Sequence, residues 1–185
     1  MDLGDLALLW LLTRGLSPAG KNQPALPVTS EVPYSIWPLS LPASQRRWSL
    51  AGLHPEAAPH FRALVAEATA RGWSPRMADA TRTPEEQAYE VRSKSSKVEC
   101  SWHLGGRAVD LELHGAGLTY HPDYAALGEW WANQGGVWGG TFARYGLHGD
   151  FRHFEYHPGI RSPKDAGLCV STPGAIARYW QGQQR

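Results

Sequence analysis

Residues 101–110 read SWHLGGRAVD, a stretch that combines the start of a β-strand with polar side chains that a hydrophobic core does not need. Strand alternation puts Val109 and its i+2 neighbours on one face, which suits a core, and Asp110 on the opposite face, which can line a cleft. His103 stands before a tight turn that the glycines at 105–106 permit, since glycine tolerates backbone angles that other residues avoid. This pattern raises the question of whether His103 and Asp110 converge on a common site.

The composition favours a small folded protein, whose many aromatic side chains suit a core and, as the alternative, a cleft for a sugar or a peptide. The chain has 185 residues, enough for one domain with a real core and an extension, and it contains 9 Trp and 7 Tyr. A formal net charge of +1 gives no electrostatic case for binding nucleic acid or an anionic membrane. We therefore expect no nucleic-acid partner, no stable membrane span and a monomer.

Three segments are predicted along the chain. Residues 1–47 read as an N-terminal helix and a proline-rich extension, 48–162 as the compact domain, and 163–185 as a tail without a clear role. The apolar run Leu6–Leu12 is too short to span a bilayer, and acidic Asp2 and Asp5 are unusual in a signal peptide. Cys100 and Cys169 have no metal-type spacing; we expect two separate thiols, with a single disulfide as the alternative.

Helix and strand signals alternate irregularly within the compact domain. A first helix is predicted to start at 54–56 and to end at Gly72, and a second to start at Pro84 with Thr83 as its N-cap. A strand over 107–113 and a helix over 123–133 follow. We therefore predict an α+β fold with a small, mainly antiparallel sheet packed with helices.

Two of the 8 histidines come with a carboxylate at short spacing. His103 precedes Asp110 by seven residues, and His153 follows Asp150 by three. Two such pairs resemble the halves of a catalytic zinc site, which has three protein ligands and one open position. The alternative is a sheet with polar edges and surface histidines. We expect structural roles for the remaining isolated histidines, which include His54, His60, His114 and His121.

Four side chains then compete for three ligand positions. In a flat strand Asp150 and His153 would point to opposite faces, so we predict a bend at 150–152 that brings both to the site. The fourth group becomes the general base that takes a proton from the attacking water. Glu155 and His157 are close enough to compete, and Glu155 can support a ligand or act as an alternative base.

The sequence resembles the zinc peptidase family of D-alanyl-D-alanine carboxypeptidases and L-alanyl-D-glutamate endopeptidases. Residues 101–110 match its SxHxxGxAxD motif at every fixed position, and 150–155 (DFRHFE) resemble the DxxHFE form of phage endolysin peptidases. Arg82 falls where the family has a substrate-binding arginine, and 49–55 echo the family's opening segment. The likeness covers roughly residues 48–160 and implies a fold like that of hedgehog and the DD-peptidases.

The resemblance implies a role for each matching residue. Zinc would be held by His103, Asp110 and His153, with Asp150 as the base. Arg82 would bind a substrate carboxylate or the developing oxyanion, and Ser101 would orient the substrate or a ligand.

The implied substrate is the peptide of bacterial peptidoglycan. The DxxH form favours an L-alanyl-D-glutamate endopeptidase of phage or prophage origin, made in the cytoplasm and acting at the cell wall or periplasm. The alternatives are a D-Ala-D-Ala carboxypeptidase and, from another class, a non-catalytic cell-wall-binding module that keeps its zinc.

Overall fold

The computed structural model describes residues 42–113, 122–145 and 149–182. The predicted helix at Leu6–Leu12, most of the proline-rich extension, His114 and His121 lie outside these residues.

Five α-helices, two 3₁₀ helices and four short strands make up the described fold. The α-helices are α1 (Ala43–Arg46), α2 (Ala58–Ala70), α3 (Pro84–Arg92), α4 (Pro122–Asn133) and α5 (Pro173–Gly182). A 3₁₀ helix at Trp102–Gly105, here called the histidine turn, stands before β2, and a second one spans Gly139–Tyr145. The strands are β1 (Arg76–Asp79), β2 (Ala108–Glu112), β3 (Val137–Trp138) and β4 (His153–Glu155).

The four strands form one antiparallel sheet in the order β1-β2-β4-β3. Asp110 pairs with His153, and Ala108 pairs with Glu155, across the central β2–β4 ladder. Since directly paired residues project to the same face of a sheet, this register places Asp110, His153 and Glu155 together. The predicted α+β fold with a small antiparallel sheet is confirmed.

The face of the sheet opposite Asp110 packs against the main core. Val109 and Leu111 of β2 and Phe154 of β4 are fully buried there with residues of α2 and α4. The alternation predicted for β2 is therefore present, with its apolar face toward the core and Asp110 on the opposite side. The core fixes the register, because a shift of one residue would bury Asp110 in place of Val109.

A second, smaller core lies behind the histidine turn. It joins Trp102 and Leu104 of the turn and Ala108 of β2 to the C-terminal segment, through Leu168, Ile176 and Trp180. Trp180 Nε1 also donates a hydrogen bond to the Leu104 carbonyl at 2.9 Å. The segment after residue 163, to which the sequence assigned no role, thus packs directly against the turn that carries His103.

The expectation of two separate thiols is wrong, because Cys100 and Cys169 form a disulfide. The two cysteines face each other across an isolated antiparallel bridge, next to the hydrogen bond from Ser101 N to the Leu168 carbonyl. Their separation of 69 residues in sequence gave no signal of this pairing. It depends on how the C-terminal segment folds back onto the histidine turn.

The predicted helix boundaries agree with the structure except at one end. Thr83 caps α3 through a complete capping box with Glu86, and Gly72 follows α2 with a φ of +90°. Helix α2 starts at Ala58 and not at 54–56, because the preceding residues form a separate turn in which the Glu56 N–H bonds to His54 Nδ1. Among the described residues, no helix has the length and apolar character needed to cross a membrane.

Candidate metal centre

The structure brings His103, Asp110 and His153 together on the side of the sheet opposite the main core. Each offers one ligand atom, and the three atoms lie within 4.8 Å of one another. Asp110 Oδ1 is 3.4 Å from His103 Nε2 and 2.9 Å from His153 Nδ1. One carboxylate oxygen thus faces one ring nitrogen from each histidine.

His103 is held by its other ring nitrogen. Its side chain is buried, and Nδ1 donates to the backbone carbonyl of Ala80, the residue after β1. This bond fixes the tautomer that leaves the Nε2 lone pair directed at Asp110. The histidine turn places the ring: the Ser101 hydroxyl accepts from His103 N at 3.3 Å, and Gly106 ends the turn with a φ of +63°.

His153 is oriented in a similar way by a carboxylate. Its Nε2 lies 2.9 Å from Glu155 Oε1, so Nδ1 is the nitrogen that faces Asp110. Burial alone would lower the pKa of His153, but hydrogen bonds with Asp110 and Glu155 outweigh it and raise the pKa to about 10. Burial would likewise raise the pKa of Glu155, yet hydrogen bonds from His153 and His157 bring it down to about 2.

The donor set fits a zinc ion. Two imidazole nitrogens and one carboxylate oxygen are common ligands of catalytic zinc, with bonds of about 2.0–2.2 Å. Tetrahedral ligands at that bond length lie roughly 3.3 Å apart, close to the 3.4 Å and 2.9 Å separations around Asp110 Oδ1. Each histidine has its second nitrogen bonded to a protein oxygen, which is the usual support for a metal ligand.

Asp150 lies at the predicted bend. Phe151 and Arg152 form a turn before β4, and the His153 N–H donates to the Asp150 carbonyl at 3.2 Å. Gly139 packs inside this turn: a Cβ added there would lie 2.9 Å from His153 Cβ and 3.3 Å from Asp150 Cβ. Asp150 and His153 therefore lie at the two ends of one tight turn. The Asp150 side chain is exposed to solvent.

Arg82 lies beside the candidate metal ligand Asp110, and much of its guanidinium is already bonded. Nε donates to Asp79 Oδ2 at 2.8 Å, Nη1 to Gln87 Oε1 at 2.8 Å, and Nη2 approaches Asp110 Oδ2 at 3.4 Å. These contacts use three of its five N–H groups. Arg82 thus holds the second oxygen of Asp110 while Oδ1 faces the histidines, and its role toward a substrate stays a prediction.

The same holds for Ser101, whose hydroxyl caps the histidine turn and whose side chain is buried. The role of Ser101 toward a substrate therefore stays a prediction.

Sequence reasoning missed the contacts that hold these residues in place. The Ala80 carbonyl has no side-chain signature, and Asp79 carried no signal beyond its closeness to Arg82. Arg47 of the N-terminal segment pairs with Asp79, so a chain of charges runs from Arg47 through Arg82 to Asp110.

Comparison with known proteins identified similar solved structures. The L-Ala D-Glu endopeptidase ChiX of Serratia marcescens is 27% identical, with a TM-score of 0.46 over 58% of this chain and 83% of that one. A variant of the vancomycin resistance D,D-pentapeptidase VanY, in complex with Zn(II), is 23% identical, with a TM-score of 0.44 over 64% of this chain and 82% of that one. VanYB in complex with D-alanine-D-alanine is 21% identical, with a TM-score of 0.43 over 70% and 78% of the two chains.

The predicted family resemblance is confirmed. The chain matches no protein-family model and no curated protein. Because the TM-scores are below 0.5, we base the function on the side chains of the site itself.

Proposed function

We propose that this chain is a zinc metallopeptidase that hydrolyses the stem peptides of bacterial peptidoglycan. The observation that supports it most directly is the convergence of His103, Asp110 and His153, each histidine held by a second bond, with their ligand atoms within 4.8 Å. Such an arrangement leaves space for a fourth, exchangeable ligand. A module that only binds the cell wall needs no general base, and Asp150, in the turn that leads to His153, supports a catalytic function because it offers one.

Each residue of the site has a separate task in this proposal. The three ligands would hold a zinc ion, which would act as a Lewis acid toward the scissile carbonyl and lower the pKa of a water molecule. Asp150 takes the proton of the attacking water and passes it to the departing amine. Arg82 keeps Asp110 in place and offers its remaining N–H groups to a substrate carboxylate or to the developing oxyanion. Ser101 fixes the turn that carries His103.

We favour cleavage between L-alanine and D-glutamate. The DxxHFE form at residues 150–155 supports this choice, since it resembles the endolysin branch, and a lytic role of phage or prophage type belongs to the same proposal. A D-Ala-D-Ala carboxypeptidase is the second candidate, because Arg82 is a suitable partner for a free C-terminal carboxylate.

Digestion of purified peptidoglycan separates these candidates. The metal-replete chain and the chelator-treated chain are incubated with peptidoglycan, and the products are identified by mass. New amino termini on D-glutamate, lost on chelation and restored by zinc, are the expected result. Release of free D-alanine would instead assign the carboxypeptidase, and a zinc-bound chain that yields no product would assign a binding module.

The base is tested by an Asp150→Asn variant. We expect it to bind zinc as the wild type does and to lose peptidase activity by about 10²–10⁴-fold, the usual contribution of general acid–base catalysis. Activity is measured by product release and zinc binding by competition with a chromophoric chelator. Glu129→Gln, at an exposed position of α4, serves as the matched control. Full activity in Asp150→Asn would contradict the assignment of Asp150 and would favour Glu155 as the base.

A further inference from the structure

Glu155 is bonded through both of its carboxylate oxygens. Oε1 accepts from His153 Nε2 at 2.9 Å, and Oε2 lies 3.0 Å from His157 Nε2. The side chain is only 13% exposed and so belongs to a partly buried row of three polar groups. The contact with His153 is made on the ring nitrogen that points away from Asp110.

His157 is fixed on two further sides. Its Nδ1 lies 3.0 Å from the Ile160 carbonyl, and its ring stacks on Trp102 with centroids 4.1 Å apart and planes 11° from parallel. Trp102 directly precedes His103 in the histidine turn, whereas His157 follows β4, which carries His153. The stack therefore ties together the two chain segments that supply the histidines of the site.

We propose that Glu155 and His157, with Trp102 stacked on His157, form a brace that positions His153 and thereby sets the metal affinity of the centre. Glu155 fixes the rotation of the His153 ring so that Nδ1 faces the ion. His157 fixes Glu155 in turn, and Trp102 fixes the distance between the two segments. The proposed brace rests on the proposed function in one respect, because it takes His153 to be a metal ligand.

The same contacts disfavour Glu155 as the general base. A base needs an oxygen within reach of the attacking water, near the open side of the ligand cluster. Both oxygens of Glu155 are occupied by histidine nitrogens, and the one nearer the site touches the side of His153 that faces away from Asp110. Asp150, by contrast, is exposed at the start of the turn that leads into β4. Glu155 is therefore a positioning residue.

The test measures zinc affinity separately from catalysis in the full-length chain. Wild type and variants are stripped of metal, and the zinc dissociation constant is obtained by competition with a chromophoric chelator. Glu155→Ala removes the brace, and Glu155→Gln keeps an amide oxygen that accepts from His153 Nε2 and an amide NH₂ that can donate to His157. His157→Phe keeps a ring to stack on Trp102 but loses both nitrogens. Glu129→Ala, on the exposed face of α4, is the matched control.

We expect Glu155→Ala to weaken zinc binding by about 10- to 100-fold, the usual effect of removing a partner that supports a metal ligand. Glu155→Gln should recover most of the affinity, and His157→Phe should show a smaller loss than Glu155→Ala. Circular dichroism and thermal unfolding of the metal-free proteins show whether each variant folds. If Glu155→Ala does not fold, His157→Phe and Glu155→Gln carry the comparison.

Wild-type zinc affinity in both Glu155→Ala and His157→Phe would overturn the brace. A Glu155→Gln variant that binds zinc normally but loses peptidase activity as severely as Asp150→Asn would overturn the assignment of Glu155 as a positioning residue, because that pattern belongs to a base. If the brace variants lose zinc as expected while the wild type cleaves no peptidoglycan peptide, the proposed function fails and the brace stands.

Discussion

At the scale of single residues, Gly139 packs inside the turn that joins Asp150, the proposed base, to His153, a proposed metal ligand. A Cβ at this position would lie 2.5 Å from the Asp150 carbonyl oxygen and 2.9 Å from His153 Cβ, closer than real contacts allow. Gly139→Ala must therefore displace backbone at the turn. A displacement of about 1 Å in a catalytic group can reduce the rate by about 10²-fold. We expect kcat/KM for peptide release to fall by about 10- to 100-fold.

The control for Gly139→Ala is Gly174→Ala in α5, where the nearest atom to an added Cβ is 3.6 Å away. This variant should keep wild-type activity and gain slightly in helix stability, because alanine is the better helix former. Unchanged kcat/KM in Gly139→Ala would show that the turn relaxes without moving Asp150 or His153.

Strand alternation predicts that Asp110 lies on the face opposite the core and that a bend separates Asp150 from His153. The choice of His103, Asp110 and His153 as ligands and of Asp150 as base comes from the resemblance. Arg82 was found by the resemblance, but its contact with Asp110 was not, since that contact depends on the antiparallel pairing of β1 with β2. Backbone partners such as the Ala80 carbonyl leave no trace in side-chain patterns.

At the scale of elements, the C-terminal segment supports the histidine turn through the second core and the disulfide. In a chain-entropy model, closing a loop of 69 residues stabilises a protein by about 4 kcal/mol, and measured values are typically about 2–4 kcal/mol. We expect the double variant Cys100→Ser, Cys169→Ser to lose about that much free energy of unfolding. Urea unfolding measures it, and wild type treated with a thiol reductant should match the double variant.

Equal free energies of unfolding for the oxidised wild type and the double variant would contradict this prediction. The comparison uses the free energy and not the midpoint alone, because a cross-link also changes the surface exposed by the unfolded chain.

Elements with strong local signals agree with the sequence prediction, and elements defined by tertiary contacts do not. Helix α3 has its capping box at Thr83 and was predicted at its observed start. Helix α5 also begins with a Thr-Pro pair, but without a glutamate three residues after the threonine, and its role appears only where Ile176 and Trp180 meet Leu104. The pairing of Cys100 with Cys169 depends on the same long-range contact and was predicted wrongly for that reason.

At the scale of the whole molecule, ion pairs bind Arg46 and Arg47 to the rest of the described domain. Buried Arg46 of α1 donates to both oxygens of Glu86, one of them at 2.8 Å, and to the Thr81 carbonyl at 2.9 Å. Arg47 pairs with Asp79 and Glu90. Residues 42–47, which the sequence placed in an extension, are thus bonded to β1 and α3.

These ion pairs make the free energy of unfolding depend on pH. Burial would raise the pKa of Glu86, but hydrogen bonds from Arg46 and from the Thr83 N–H outweigh it, so the folded pKa lies below the ordinary value of 4.5. A carboxylate with a lowered folded pKa stabilises the native state fully above its unfolded pKa. That contribution is lost as the pH falls through the folded pKa. We therefore expect the free energy of unfolding to decrease on acidification below about pH 4.5.

An Arg46→Gln variant tests which contact is responsible. Without the guanidinium, the pKa of Glu86 returns toward its ordinary value, so the variant should be less stable at neutral pH and should lose less of its stability on acidification. Urea unfolding of both proteins at a series of pH values between about 3 and 7 measures how steeply the free energy of unfolding of each changes with pH. Arg71→Gln breaks the exposed ion pair with Glu67, and such surface pairs contribute little to stability. This control should therefore leave the pH dependence of the free energy of unfolding unchanged. An Arg46→Gln slope equal to that of the wild type would assign the acid sensitivity to other carboxylates. Asp79, which is buried between Arg47 and Arg82, would be the first of these to test.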